Sequence, residues 1–122
     1  MQLNDLVGFK LVRLDETGFT IQKGDVRLFV RFDRCDGDCC GFTELETKLL
    51  VKEGVEPVIT AIECEDVPYT YDGEKVVVRF FGMDKLIAEV EALASSGSGW
   101  CYGACVSVVC DAIGLEECIA SW

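Results

Sequence analysis

Between Val7 and Asp33 the chain runs through three short alternating segments separated by turn residues, and this pattern limits the fold more than any other. Val7-Gly8-Phe9-Lys10-Leu11-Val12-Arg13-Leu14 alternates apolar and polar side chains before the turn cluster Asp15-Glu16-Thr17-Gly18. Phe19-Thr20-Ile21-Gln22 resumes period two, and Lys23-Gly24-Asp25 turns again. Val26, Leu28, Val30 and Phe32 then share one face, opposite Arg27, Arg31 and Asp33. Strand, short turn, strand, short turn, strand predicts an antiparallel meander.

The later segments are more mixed. Leu45, Leu49 and Lys52 recur at helical spacing, and Glu44 with Lys48 makes a favourable i,i+4 pair, so a short helix is expected before Glu53-Gly54. Pro57 to Glu65 predicts a strand, Tyr71-Asp72-Gly73-Glu74 a turn, and Lys75 to Phe81 a further strand rich in β-branched and aromatic residues. Over Met83 to Ala94, Leu86, Val90, Leu93 and Ala94 fit a helix, while Leu86, Ala88, Val90 and Ala92 fit a strand; pattern alone favours the helix. Ser95-Ser96-Gly97-Ser98-Gly99 is a turn, and Val106 to Cys110 a last strand ahead of a Cys-rich tail over 110–122. The expected fold is one α+β domain over 1–122, mainly an antiparallel β meander or sheet with one or two short helices.

Charge is unevenly spread. Of the net −11, residues 35–74 carry −9, with eleven acidic groups against two basic. That balance disfavours nucleic acid and anionic membrane as direct partners. The simplest account is a solvated acidic surface; the sharper one is a surface competing for a basic protein partner. Glu53, Glu56, Glu63, Glu65, Asp66, Asp72 and Glu74 would supply its field. The N-terminus lacks the basic and apolar regions of a signal peptide, so a cytoplasmic setting is expected, with the eight cysteines as free thiols or metal ligands.

Asp33-Arg34-Cys35-Asp36-Gly37-Asp38-Cys39-Cys40-Gly41-Phe42 is the densest chemical stretch. Cys35, Cys39 and Cys40 with Cys64, or Cys101, Cys105, Cys110 and Cys118, would suffice for a four-thiolate zinc site, but neither set has the paired Cys-x2-Cys arms of such sites and the chain has no His. Buried or loop thiols are the plainer reading, and no metal or other cofactor is expected. Asp33, Asp36 and Asp38 with Glu44 resemble a calcium loop, yet Cys39-Cys40-Gly41-Phe42 breaks that pattern and turn chemistry accounts for Asp and Gly. A Cys nucleophile without His has only Arg34 or a helix N-terminus to activate it, and no phosphate loop or nucleophile elbow is present, so an enzyme is not expected. A small-ligand pocket would draw on Asp38, Cys39, Cys40, Arg79, Gly99, Trp100, Tyr102 and Gly103, with Lys75 or Lys85 as further cations; the alternative places Trp100 and Tyr102 in the core or its rim.

The order of these motifs resembles an uncharacterised family of small proteins common in bacteriophage genomes and prophages. The likeness rests on Gly37-Asp38-Cys39-Cys40, Val58-Ile59-Thr60-Ala61-Ile62-Glu63, Val78-Arg79-Phe80-Phe81-Gly82 and Ser95 to Gly103, and covers roughly residues 6–109. Gly99-Trp100-Cys101-Tyr102-Gly103-Ala104 departs from that family's C-terminal loop in lacking its Asn, and the tail after Cys110 is peculiar to this chain. The resemblance implies a phage origin, a small β-rich domain and a strand-like 83–94, and brings no catalytic residues with it. It leads to the expectation of a phage-encoded acidic binding protein, an anti-defence inhibitor acting on a host immune protein. The alternatives are a sponge for a small signalling nucleotide, walled by the two loops, and a zinc-stabilised structural module. The oligomeric state stays open, a homo-oligomer included.

Overall fold

The computed structural model describes residues 2–35, 42–52, 54–69, 73–95 and 104–122. The N-terminal alternation forms the expected meander of β1 (Lys10–Asp15), β2 (Gly18–Lys23) and β3 (Val26–Cys35), paired antiparallel in chain order. A short 3-10 turn over Leu3–Leu6 precedes it and buries both leucines, so the first strand begins at Lys10 and not at Val7. In the first hairpin turn, the Thr17 backbone N–H and hydroxyl both donate to Asp15 Oδ1. The second turn places Gly24 at φ +60°, in the left-handed region a two-residue hairpin loop asks of its first central residue.

The remaining strands are β4 (Phe42–Leu49), β5 (Ala61–Val67), β6 (Gly73–Gly82), β7 (Lys85–Ser95), β8 (Cys105–Cys110) and β9 (Leu115–Ser121). They complete two antiparallel sheets, a five-stranded one ordered β1-β2-β3-β8-β9 and a four-stranded one ordered β4-β7-β6-β5. Both contribute to one apolar core. Phe19 of β2 joins the sheets: its ring centroid lies 5.8 Å from Phe32 in its own sheet and 5.3 Å from Phe80 of β6, tilted 66° to the latter in an edge-to-face contact. At one corner the segment 57–60 stitches the sheets by backbone bonds, with Leu11 N donating to Pro57 O, Ile59 N to Phe9 O and Thr60 N to Phe81 O.

The α+β expectation is corrected: the described residues hold 3-10 turns but no α-helix. The stretch expected to be helical after Phe42 is β4. There Thr43, Leu45 and Thr47 alternate with the exposed Glu44, Glu46 and Lys48, and the β-branched threonines supply the inward positions that a helical count treats as polar. Glu44 and Lys48 lie on one strand face, too far apart in an extended chain to pair as they would on a helix.

Most of the 83–94 stretch is also strand, β7, as the family resemblance implied and where the pattern alone favoured a helix. Met83 and Asp84 both have positive φ, 51° and 64°, which defines a type I′ turn and sets the register from Gly82↔Lys85 onward. A bulge at Phe80/Phe81 then lets the consecutive Ile87 and Ala88 both reach the core. The strand expected near Pro57 runs from Ala61, with Val58 in an isolated bridge to Lys10. The tail folds into β9, a strand the sequence reading did not foresee.

Two substitutions test this arrangement. A Cβ on Gly18 would sit 2.2 Å from Val30 O and 2.7 Å from Phe29 Cζ, so Gly18→Ala is expected to destabilise by about 2–4 kcal/mol in urea unfolding. Met83 is 86% exposed, and replacing Met83-Asp84 by Asn-Gly, the preferred I′ pair, should stabilise by about 1 kcal/mol. An unchanged unfolding midpoint would argue against the turn.

Candidate binding surface

On β7 the core takes Ala88, Val90, Ala92 and Ala94, so Glu89, Glu91 and Leu93 face outward from the four-stranded sheet. On β6 Val76, Val78 and Phe80 face in, which turns Lys75, Val77 and Arg79 out. The pairing aligns these residues in rows. One row reads Lys48, Glu89, Arg79, Glu63; the next Glu46, Glu91, Val77, Glu65; the third begins Glu44, Leu93, Lys75. Six glutamates therefore share a sheet face with three cations.

Ion pairs occupy part of this field. Arg79 Nη1 lies 2.5 Å from Glu65 Oε2, and its Nε lies 3.4 Å from Glu89 Oε2. The hydrogen bond to Glu65, and then the charges of Glu65 and Glu89, raise the Arg79 pKa against the opposing effect of burial, so its charge is permanent. Lys75 Nζ reaches Glu91 at 4.0 Å. Glu44, Glu46 and Glu63 have no ion pair among the described residues, and Glu46 directly opposes Glu91, a like-charge cross-strand pair that costs stability. A groove of about 420 Å³ runs over this face between Arg34, Glu44, Glu46, Lys75, Glu91 and Leu93. Arg34 closes one end, donating from Nε to Thr43 Oγ1 at 3.1 Å and from Nη2 to Thr43 O at 2.6 Å.

The acidic residues singled out in the sequence do not form one patch. Glu63 and Glu65 stand on this face. Asp66 points to the other side of β5, into a cleft of about 280 Å³ with Cys64 and Glu117. Glu74 accepts a bond from Ser121 N at 3.2 Å, and Glu56 lines an apolar groove of about 530 Å³ with Leu50, Val58, Met83 and Leu86. Glu53 and Asp72 lie outside the described residues, as do Asp38, Cys39, Cys40, Gly99, Trp100, Tyr102 and Gly103. The sequence reading missed Glu44, Glu46, Glu89 and Glu91; their Glu-x-Glu spacing puts each pair on one face once both segments are strands.

The proposed thiolate sets are likewise divided. Cys35 ends β3 in the five-stranded sheet, whereas Cys64 sits on β5 in the cleft, where burial and then the charges of Glu117 and Asp66 raise its pKa and keep it a thiol. Of the second set, Cys110 is in the core while Cys105 and Cys118 are not. No three His, Cys, Asp or Glu side chains converge on a metal-sized site among the described residues. Within those residues no helix is long and apolar enough to cross a membrane.

No family model, curated protein or solved structure matches this chain.

Replacing Glu46 by Lys removes the like-charge opposition and sets a cation beside Glu91. Stability should rise by about 0.5 kcal/mol, and the gain should shrink in high salt. Thermal unfolding of both forms at low and high ionic strength reads this directly.

Proposed function

We propose that the protein is a non-catalytic binding protein that docks onto a basic surface of another protein through the outward face of its four-stranded sheet. The carrying observation is the excess of carboxylates there, with Glu44, Glu46 and Glu63 left without ion pairs among the described residues. Such a field accelerates encounter with a cationic partner and repels nucleic acid and anionic lipid. In the setting implied by the phage-family resemblance, the partner is a host immune protein and the outcome is its inhibition. The cytoplasm is the matching compartment.

The nucleotide-sponge reading is the weaker one. Arg79, the cation assigned to it, is already held between Glu65 and Glu89, and in the groove on this face the carboxylates of Glu44, Glu46 and Glu91 outnumber the cations Arg34 and Lys75. A zinc-stabilised module is weaker still, given how its described thiols are divided between sheets and faces.

The test is affinity capture from a bacterial host lysate with the wild-type protein and with Glu44→Lys/Glu46→Lys/Glu63→Lys. A protein held by the wild type, released by salt and lost by at least tenfold in the variant supports the reading. Equal capture by both overturns the surface assignment. A nucleotide released on heating the purified protein would favour the sponge instead.

A further inference from the structure

Three cysteines gather at one end of the five-stranded sheet, outside the acidic face. Cys35, the last residue of β3, is the direct cross-strand partner of Cys105, the first residue of β8. Directly opposed residues in an antiparallel ladder have Cα atoms about 4.5 or 5.5 Å apart, depending on the type of pair, and both separations fall inside the disulfide range. Val106, Val108 and Cys110 fill the core, so Cys105 and its partner Cys35 stand on the outward face, where Cys35 is exposed and Cys105 half-buried. Cys118 on β9 pairs with Ser107, two residues along β8, which makes it a diagonal neighbour of Cys105; such neighbours have Cα atoms about 7–8 Å apart, beyond easy bridging.

We infer that Cys35 and Cys105 are a redox-active cross-strand pair, which a small-molecule disulfide converts into an intramolecular disulfide. Cys35, the exposed member, is the attacking group. Its thiolate attacks one sulfur of the reagent and displaces a small thiolate, leaving a mixed disulfide on Cys35. Cys105 then gives its proton to solvent and attacks the Cys35 sulfur, releasing the second small thiolate. Two protein thiols are oxidised by two electrons and one reagent disulfide is reduced to two thiols. The order of events agrees with the surroundings of Cys105: burial, and after it the nearby Cys118, Cys35 and Asp33, outweigh the hydrogen bond with Ser107 and raise its pKa, so it is the poorer first nucleophile.

The product fastens the end of β3 to the start of β8, where the two halves of the five-stranded sheet meet. Its Cα separation is one the ladder already supplies, and reduction restores the open form. This inference does not rest on the acidic-face reading and can stand or fall apart from it.

The test treats the reduced full-length protein with oxidised glutathione, alkylates the remaining thiols and maps linked residues by fragmentation mass spectrometry. The expected result is loss of two of the eight thiols, a Cys35–Cys105 link and a higher thermal midpoint that reducing agent reverses. Cys35→Ser and Cys105→Ser should each abolish the link and the shift, while Cys118→Ser should keep both. Because Cys35 is exposed, Cys35→Ser is also the variant that tests the idea without disturbing the core. Full retention of the thiols, or a link joining Cys105 to Cys118 or Cys35 to any other cysteine, overturns it.

Discussion

The five-stranded sheet depends on one ladder that no local turn provides, the pairing of β3 with β8. Every other neighbour in that sheet is joined to its partner by a hairpin, whereas residues 31–35 find residues 105–109 only after the whole four-stranded sheet has been threaded between them. Without this ladder the chain would hold an N-terminal meander with its β3 edge open and a C-terminal hairpin with nothing to lean on, and isolated hairpins are marginal in water. The ladder also brings Val106 and Val108 beside Phe32 under the second sheet, so backbone closure and core formation are one event.

The core makes the two sheets interdependent. Phe19 and Phe80 are each almost fully buried and touch edge to face across the interface. Removing such a ring leaves a cavity that neighbouring side chains fill poorly, a loss of about 3–5 kcal/mol, comparable with the whole stability of a small domain. Because the inward faces are committed to this contact, chemistry falls to the outward faces and edges. The acidic rows occupy the outside of one sheet and the thiol pair the outside of the other.

Much of the fold was legible where local pattern and tertiary pairing agree. The meander over 7–33 has clean alternation, with Gly and Asp at its turns. It was least legible where strands carry residues that also suit helices. Leu86, Val90 and Leu93 keep helical spacing, and the left-handed Met83-Asp84 turn, in which Met is a rare occupant, together with pairing to β4 and β6 commits them to a strand. In β4 the inward positions are Thr43, Leu45 and Thr47, so its period-two pattern is chemically faint. The site followed the same logic: acidity of the middle third was visible in composition, but the register that lines up Glu46, Glu91 and Glu65, while turning Asp66 away, is a property of pairing. Nothing in spacing alone joins Cys35 to Cys105.

The same long-range ladder has a consequence for how the protein is made. During synthesis β3 leaves the ribosome well before β8, and at about 5–20 residues per second the intervening chain takes on the order of ten seconds to appear. Through that interval the nascent meander exposes a ten-residue strand edge to whatever else is in the cell. Arg31, Asp33 and Arg34, spaced along the waiting half of that edge, put alternating charge where another chain would need to dock. Charge so placed opposes edge pairing by another chain, and in the finished protein Arg31 is 3.1 Å from Asp111 and Arg34 is bonded to Thr43.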